Sequence, residues 1–193
     1  MISARHTLVQ TVVLSLFFLT LFAEVQLGMH ISAIRKFIQD HPVVREKMLT
    51  TSDINRAIVK PESLGTRNPY INLYSGQYDS AGNSLVSKAT VFVSHAWRYS
   101  FYDVVANVME QHAQDNPDAY FWFDLFTNDQ NEVSSKDFDW FSTTFRRGVV
   151  DIGKALLVLS PWNDPQPIRR AWCLFEIFNA LDERDVKLEI GLP

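Results

Sequence analysis

The sequence predicts an α/β fold over residues 88–193, a parallel sheet covered by helices on both faces. Short apolar runs rich in β-branched residues are typical of strands buried on both faces, and amphipathic stretches with helical spacing lie between them. The two kinds alternate as strand, helix, strand, helix, strand, helix, strand. Such alternation favours right-handed crossovers, and therefore parallel strands.

Each element is predicted by its own pattern. In the first helix, Phe101, Val105 and Met109 recur at helical spacing, while Pro161 ends the third strand and Pro167 suits the first turn of the last helix. The predicted order is strand 89–97, helix 100–112, strand 119–126, helix 136–153, strand 154–162, helix 167–185 and strand 186–193.

Two segments precede this domain. Residues 1–29 contain a hydrophobic stretch, residues 7–23, which carries no charge and follows a short basic head. Such a stretch is typical of a signal peptide or membrane anchor, but equally of a helix packed on the domain, so membrane contact stays open. Residues 30–87 are expected to form an extension that wraps on the domain. It begins with a helix that Pro42 ends, and residues 50–87 have no sustained period.

Composition excludes several classes of function. The net charge of -4 argues against a nucleic-acid-binding protein, which would need a basic surface. The single cysteine excludes an internal disulfide and any multi-cysteine zinc site, and it fits the reducing cytoplasm. No glycine-rich phosphate loop and no G-x-S-x-G motif is present.

Candidate binding residues follow the predicted strands, because ligands of open parallel sheets bind beyond the carboxyl ends of the strands. They are Ser94, His95, Trp97 and Arg98 after the first strand, Asp124 after the second and Ser160 after the third.

The stretch RRAWCLFEIFNAL supplies a further candidate. On a helical wheel, Leu174, Phe175 and Phe178 share the apolar face, and Glu176 falls on the other side with Trp172 one turn earlier. Glutamate is ordinarily exposed, whereas an exposed tryptophan beside it indicates a cleft wall or an interface.

Three stretches, TVFVSHAW, LLVLSPW and AWCLFEI, resemble in order and spacing the motifs of Toll/interleukin-1 receptor (TIR) domains, over about residues 88–190. The resemblance implies a flavodoxin-like fold with strand order 2-1-3-4-5, and we expect the sheet within these residues to lack the fifth strand. It also implies cleavage of NAD, as substrate and not as cofactor, with Glu176 as the catalytic residue, and association with itself or with other TIR-like domains. The NAD site would then include Ser94, His95, Trp97, Arg98, Asp124, Ser160, Trp172 and Cys173, and no metal.

Three other interpretations stay open. In the first, the chain is a non-catalytic TIR-like interaction module that docks through Trp162, Trp172 and residues 126–137. In the second, His95 activates Cys173 as a nucleophile, although no orienting partner for this pair is evident. In the third, His95, Asp124 and Glu176 bind a metal, although their spacing does not favour it.

Overall fold

The computed structural model describes residues 26–66, 68–133, 138–165, 167 and 185–193, with the backbone alone for residues 138–142 and 144. No helix within these ranges is long and apolar enough to cross a membrane. The hydrophobic residues 7–23 lie outside them, so the interpretation of that segment stays a prediction.

The described residues form one six-stranded sheet in the order β2-β1-β4-β3-β5-β6. Its strands are β1 Leu27–His30, β2 Val86–Lys88, β3 Val91–Ser94, β4 Tyr120–Trp122, β5 Lys154–Val158 and β6 Lys187–Gly191. β3 pairs in parallel with β4 and β5, and β5 with β6, whereas β1 is antiparallel to β2 and β4. The predicted α/β sheet is thus confirmed as a mixed, mostly parallel sheet. Its parallel strands stand in chain order 2-1-3-4, which is compatible with a flavodoxin-like fold.

Helices connect and cover these strands. The α-helices are α1 Ile31–Asp40, α2 Val43–Glu46, α3 Thr51–Ile54, α4 Lys60–Ser63, α5 Asn107–Asp115, α6 Asp124–Thr127 and α7 Phe138–Ile152. π-helical turns Asn55–Val59 join α3 to α4, π-helical turns Phe101–Ala106 lead into α5, and Tyr70–Tyr74 is a 3-10 helix.

The helix predicted before Pro42 is confirmed as α1. Its N-cap is His30, whose Nδ1 accepts the backbone N–H of Ser32 at 3.3 Å, and the His30 Nε2–H donates to Pro117 O at 2.9 Å. Ile31, Ile34 and Phe37 point into the core, as their spacing predicts.

Alternating side chains of the parallel strands enter two separate cores. Val91 and Val93 of β3 face the core beneath α1 and α5, whereas Phe92 between them faces the core beneath α7. On that second face the Phe92 and Trp122 rings stack at 4.6 Å, and Phe145 of α7 meets Trp122 edge-on at 5.2 Å. Both faces of the sheet are covered at its centre, which explains why β3 and β5 are almost entirely apolar.

Residues 50–87 are not irregular throughout, contrary to the sequence-based expectation. Thr50 and Asp53 form a capping box that starts α3, and each accepts a hydrogen bond from the backbone N–H of the other. Ile54, Ile58 and Val59 are buried where α3 passes into the π-helical turns, and Ile54 and Ile58 have the i, i+4 spacing of an ordinary helix.

The extension and the motif-bearing residues share one sheet and one core. The expected boundary after residue 29 falls within β1, and the one after residue 87 falls within β2. Phe37 and Tyr70 of the extension both contact Phe126, at 4.9 and 5.7 Å between ring centroids, and Phe37 also meets Phe101 at 5.9 Å.

A histidine at the α5–β6 contact predicts a pH-dependent stability. His112 is 7% exposed, and its Nδ1 lies 3.3 Å from Glu189 Oε2. Burial lowers the pKa of His112 from its ordinary 6.5, more than Glu189 raises it. Below pH 6.5 the unfolded chain therefore takes up the proton more readily, and the folded state loses stability.

We expect the melting temperature to fall between pH 7 and pH 5, and the fall to be smaller in His112→Gln. The lowered pKa of Glu189 acts outside this window, because its contribution is lost only below its ordinary 4.5. Differential scanning calorimetry at both pH values measures the effect. If the melting temperature falls equally with pH in the unaltered protein and in His112→Gln, His112 is not responsible for the fall.

Candidate functional site

The carboxyl ends of β4, β3 and β5 lie side by side at one end of the sheet, and we call this end the edge. The chain leaves β3 for β4 on one side, and β5 lies on the other side, so strand order reverses between β3 and β5. Ligands of open α/β sheets bind at this kind of position. The predicted residues after these three strands are therefore brought to one edge, as expected.

Trp97 and Asp124 join the ends of β3 and β4. The indole Nε1–H of Trp97 donates to Asp124 Oδ2 at 2.7 Å, a short hydrogen bond to a charged acceptor. The backbone carbonyl of Asp124 in turn accepts a hydrogen bond from the side-chain amide of the buried Gln130, at 2.7 Å. The first turn after β4 is thereby fixed against the loop after β3.

Tyr99 and Ser160 bridge the reversal point between β3 and β5. The Tyr99 hydroxyl donates to Ser160 O at 2.6 Å and accepts the Ser160 N–H at 2.9 Å. Tyr99 is itself buried, so water competes little for either bond.

Removing the Tyr99 hydroxyl is expected to destabilise this edge. We expect Tyr99→Phe to lower the free energy of unfolding by about 1–3 kcal/mol, because it leaves both backbone groups of Ser160 without this partner. The matched control is Tyr78→Phe, since Tyr78 is 67% exposed. Urea denaturation measures the free energy of unfolding of both variants. An equal loss in Tyr99→Phe and Tyr78→Phe would contradict a structural role for the bridge.

Ser94 and His95 are buried at the end of β3, each 4% exposed. The imidazole of His95 shares a hydrogen bond with Thr51 Oγ1 at 3.1 Å, and its ring centroid lies 4.5 Å from that of Phe123. Both residues occupy the predicted edge, but they are packed beneath it. Arg98, by contrast, is exposed in the turn that follows.

Three of the predicted site residues, Trp172, Cys173 and Glu176, lie outside the described residues. Of the predicted docking surface, Trp162 is 78% exposed just beyond β5, whereas Phe126 and Gln130, in the described part of residues 126–137, are buried.

One groove lies away from these strand ends. It has a volume of about 980 Å³ and runs between α1 and the helical segment containing Tyr102 and Ala106. At its margin the guanidinium of Arg35 forms a bidentate ion pair with Glu110, at 2.7 and 2.6 Å. Its lining mixes both signs of charge.

Sequence reasoning missed two residues that build the edge, Thr51 and Tyr99. The capping pattern of Thr50 and Asp53 was the available signal for the start of a helix at residue 51. No local pattern indicates the bond between Tyr99 and Ser160, because 61 residues separate them.

Comparison of the chain with protein-family models, curated proteins and solved structures gives no match. The expected resemblance to TIR domains therefore rests on the three sequence motifs alone, and both the family and the function that it implies are proposals.

Proposed function

We propose that this chain is a TIR-like signalling domain of the cytoplasm that cleaves the bond between nicotinamide and ribose in NAD, with Glu176 as the catalytic residue. The observation that supports the proposal is that the Trp97–Asp124 and Tyr99–Ser160 hydrogen bonds tie together the carboxyl ends of β4, β3 and β5, next to the point where strand order reverses between β3 and β5. Ligands of this class of sheet bind at that position.

The chemistry needs little beyond a well-placed carboxylate. When the glycosidic bond breaks, its electron pair passes to the ring nitrogen of the pyridinium, and neutral nicotinamide leaves without protonation. Positive charge develops on the ribose, and the carboxylate of Glu176 stabilises it. Water then adds to the anomeric carbon and loses a proton to give ADP-ribose, or an adenine nitrogen adds to give a cyclic product. Trp97 and Trp172 supply aromatic faces for the rings.

Nicotinamide release from NAD by the purified full-length chain tests this function. We expect release that rises faster than linearly with protein concentration, because activity is proposed to depend on self-association. Chromatography separates nicotinamide, ADP-ribose and any cyclic product. Absence of nicotinamide at the highest protein concentration would overturn the proposal.

A non-catalytic interaction module is the second candidate, and the exposure of Trp162 favours it. A tryptophan that is 78% exposed beside a strand end is a feature of docking surfaces. In that case Trp162→Ala would abolish self-association in analytical ultracentrifugation, and no nicotinamide would be released. Leu64→Ala is the matched control, since Leu64 is 72% exposed and lies in the extension. Self-association unaffected by Trp162→Ala would exclude this docking surface.

A further inference from the structure

Residues 49–52 of the extension are hydrogen-bonded along the loop that follows β3, and we call them the strap. The backbone N–H groups of Thr51 and Ser52 donate to Tyr99 O and Trp97 O, at 3.2 and 3.0 Å. In the opposite direction, the Phe101 N–H donates to Leu49 O at 2.9 Å. The strap is thus hydrogen-bonded to the backbone of every second residue from Trp97 to Phe101.

The strap also reaches the end of β3 through a side chain. Thr51 is fully buried, and its hydroxyl shares the hydrogen bond with His95 described above. The hydroxyl of Ser52 adds a bond to Trp97 O at 3.2 Å.

The two backbone carbonyls that accept hydrogen bonds from the strap belong to Trp97 and Tyr99, whose side chains bond to residues after the neighbouring strands. Trp97 reaches Asp124 through its indole, and Tyr99 reaches Ser160 through its hydroxyl. Both side chains are therefore anchored at their main chain by residues 51 and 52, which lie far away in sequence. Loosening the strap would release the main chain of both residues together.

We infer that the strap supports the NAD site from beneath and that Thr51 is a positioning residue, which holds the main chain between Trp97 and Tyr99 and so places the Trp97 side chain for substrate binding. This inference rests on the proposed function. The N-terminal extension then serves the site directly, and residues 88–193 by themselves do not supply a complete one.

Thr51→Pro tests the strap with little disturbance of α3. Proline removes the N–H that donates to Tyr99 O and the hydroxyl that contacts His95. It fits the first position of a helix, and the preceding Thr50 already has the extended conformation that proline requires (φ -73°, ψ 162°). Thr51→Ser keeps both groups and is the conservative control.

Two readouts distinguish positioning from general stability. Because binding contacts loosen while the chemistry stays in place, we expect the KM for NAD to rise about tenfold in Thr51→Pro with kcat within about twofold. Ile34→Ala, a buried substitution in α1, is expected to lower stability without raising KM. The second readout is hydrogen exchange of the Trp97 indole N–H by NMR, assigned with Trp97→Phe. It should be at least about tenfold faster in Thr51→Pro and unchanged in Thr51→Ser.

The outcomes separate this inference from the proposed function. If the unaltered chain releases no nicotinamide, the proposed function fails, and the indole exchange alone decides whether the strap positions Trp97. An unchanged exchange rate in Thr51→Pro overturns the inference whatever the activity. An unchanged KM in a chain that cleaves NAD overturns it as well.

Discussion

Gly28→Ala is expected to lower the free energy of unfolding by about 2–3 kcal/mol, and Gly28→Val by more, because no side chain fits at this position of β1. A Cβ atom at residue 28 would lie 2.8 Å from the backbone C and O of Tyr120 and 3.0 Å from Cα of Ala89. All three obstructing atoms belong to main chain, so rotation of a neighbouring side chain cannot relieve the clash.

A glycine with ordinary space provides the matched control. At Gly148 in α7 an added Cβ would meet the Phe92 ring at 3.7 Å, an ordinary contact. We expect Gly148→Ala to stabilise the protein by about 0.5–1 kcal/mol, since glycine is unfavourable inside a helix. Urea denaturation measures both. Equal effects of the two alanines would contradict the close approach at β1.

The position of Gly28 also shows how the extension is joined to the rest of the chain. β1 enters the sheet between β2 and β4, and residue 89 crosses close to it on the way to β3. The antiparallel strand β1, contributed by the extension, thus pairs with the side of β4 that faces away from β3. Without β1, the backbone groups on that side would be an exposed template for aggregation.

The two central parallel strands could be predicted from sequence because each is buried on both faces and is apolar for that reason, whereas β6, which reads KLEIG, is buried only in part. β3 and β5 show this pattern plainly. β1 and β2 could not be predicted in this way. They are four and three residues long, and β2 reads VSK, so neither contains a period. Their strand character comes from pairing with distant residues, which local sequence does not encode.

The candidate site, too, could be predicted from the sequence only in part. That the residues following β3, β4 and β5 would lie at the same edge of the sheet followed from the rule that parallel strands end at a common edge. The partners of these residues did not follow from it, because Thr51 and His95 stand 44 residues apart and their contact depends on the path of the extension. The burial of His95 has the same origin.

Glu176→Gln is expected to reduce nicotinamide release by at least about 100-fold, which is the typical loss when one electrostatic contribution to a charged transition state is removed. Glutamine has nearly the same size but no charge, so it cannot stabilise the positive ribose. Because NAD binding is proposed to depend on aromatic and polar contacts such as Trp97, kcat should fall more than KM rises. Steady-state kinetics with quantified nicotinamide measure both constants.

Glu183→Gln is the matched control, because it makes the same chemical change seven residues later. Seven residues are about two turns of the predicted helix, so Glu183 is expected on the same face as Glu176 but beyond reach of a ligand at its partner's position. If the two variants lose activity equally, the loss reflects the helix as a whole and not a carboxylate at residue 176. If Glu183→Gln retains full activity while Glu176→Gln loses it, the negative charge at residue 176 acts on the substrate, as stabilisation of a developing ribosyl cation requires.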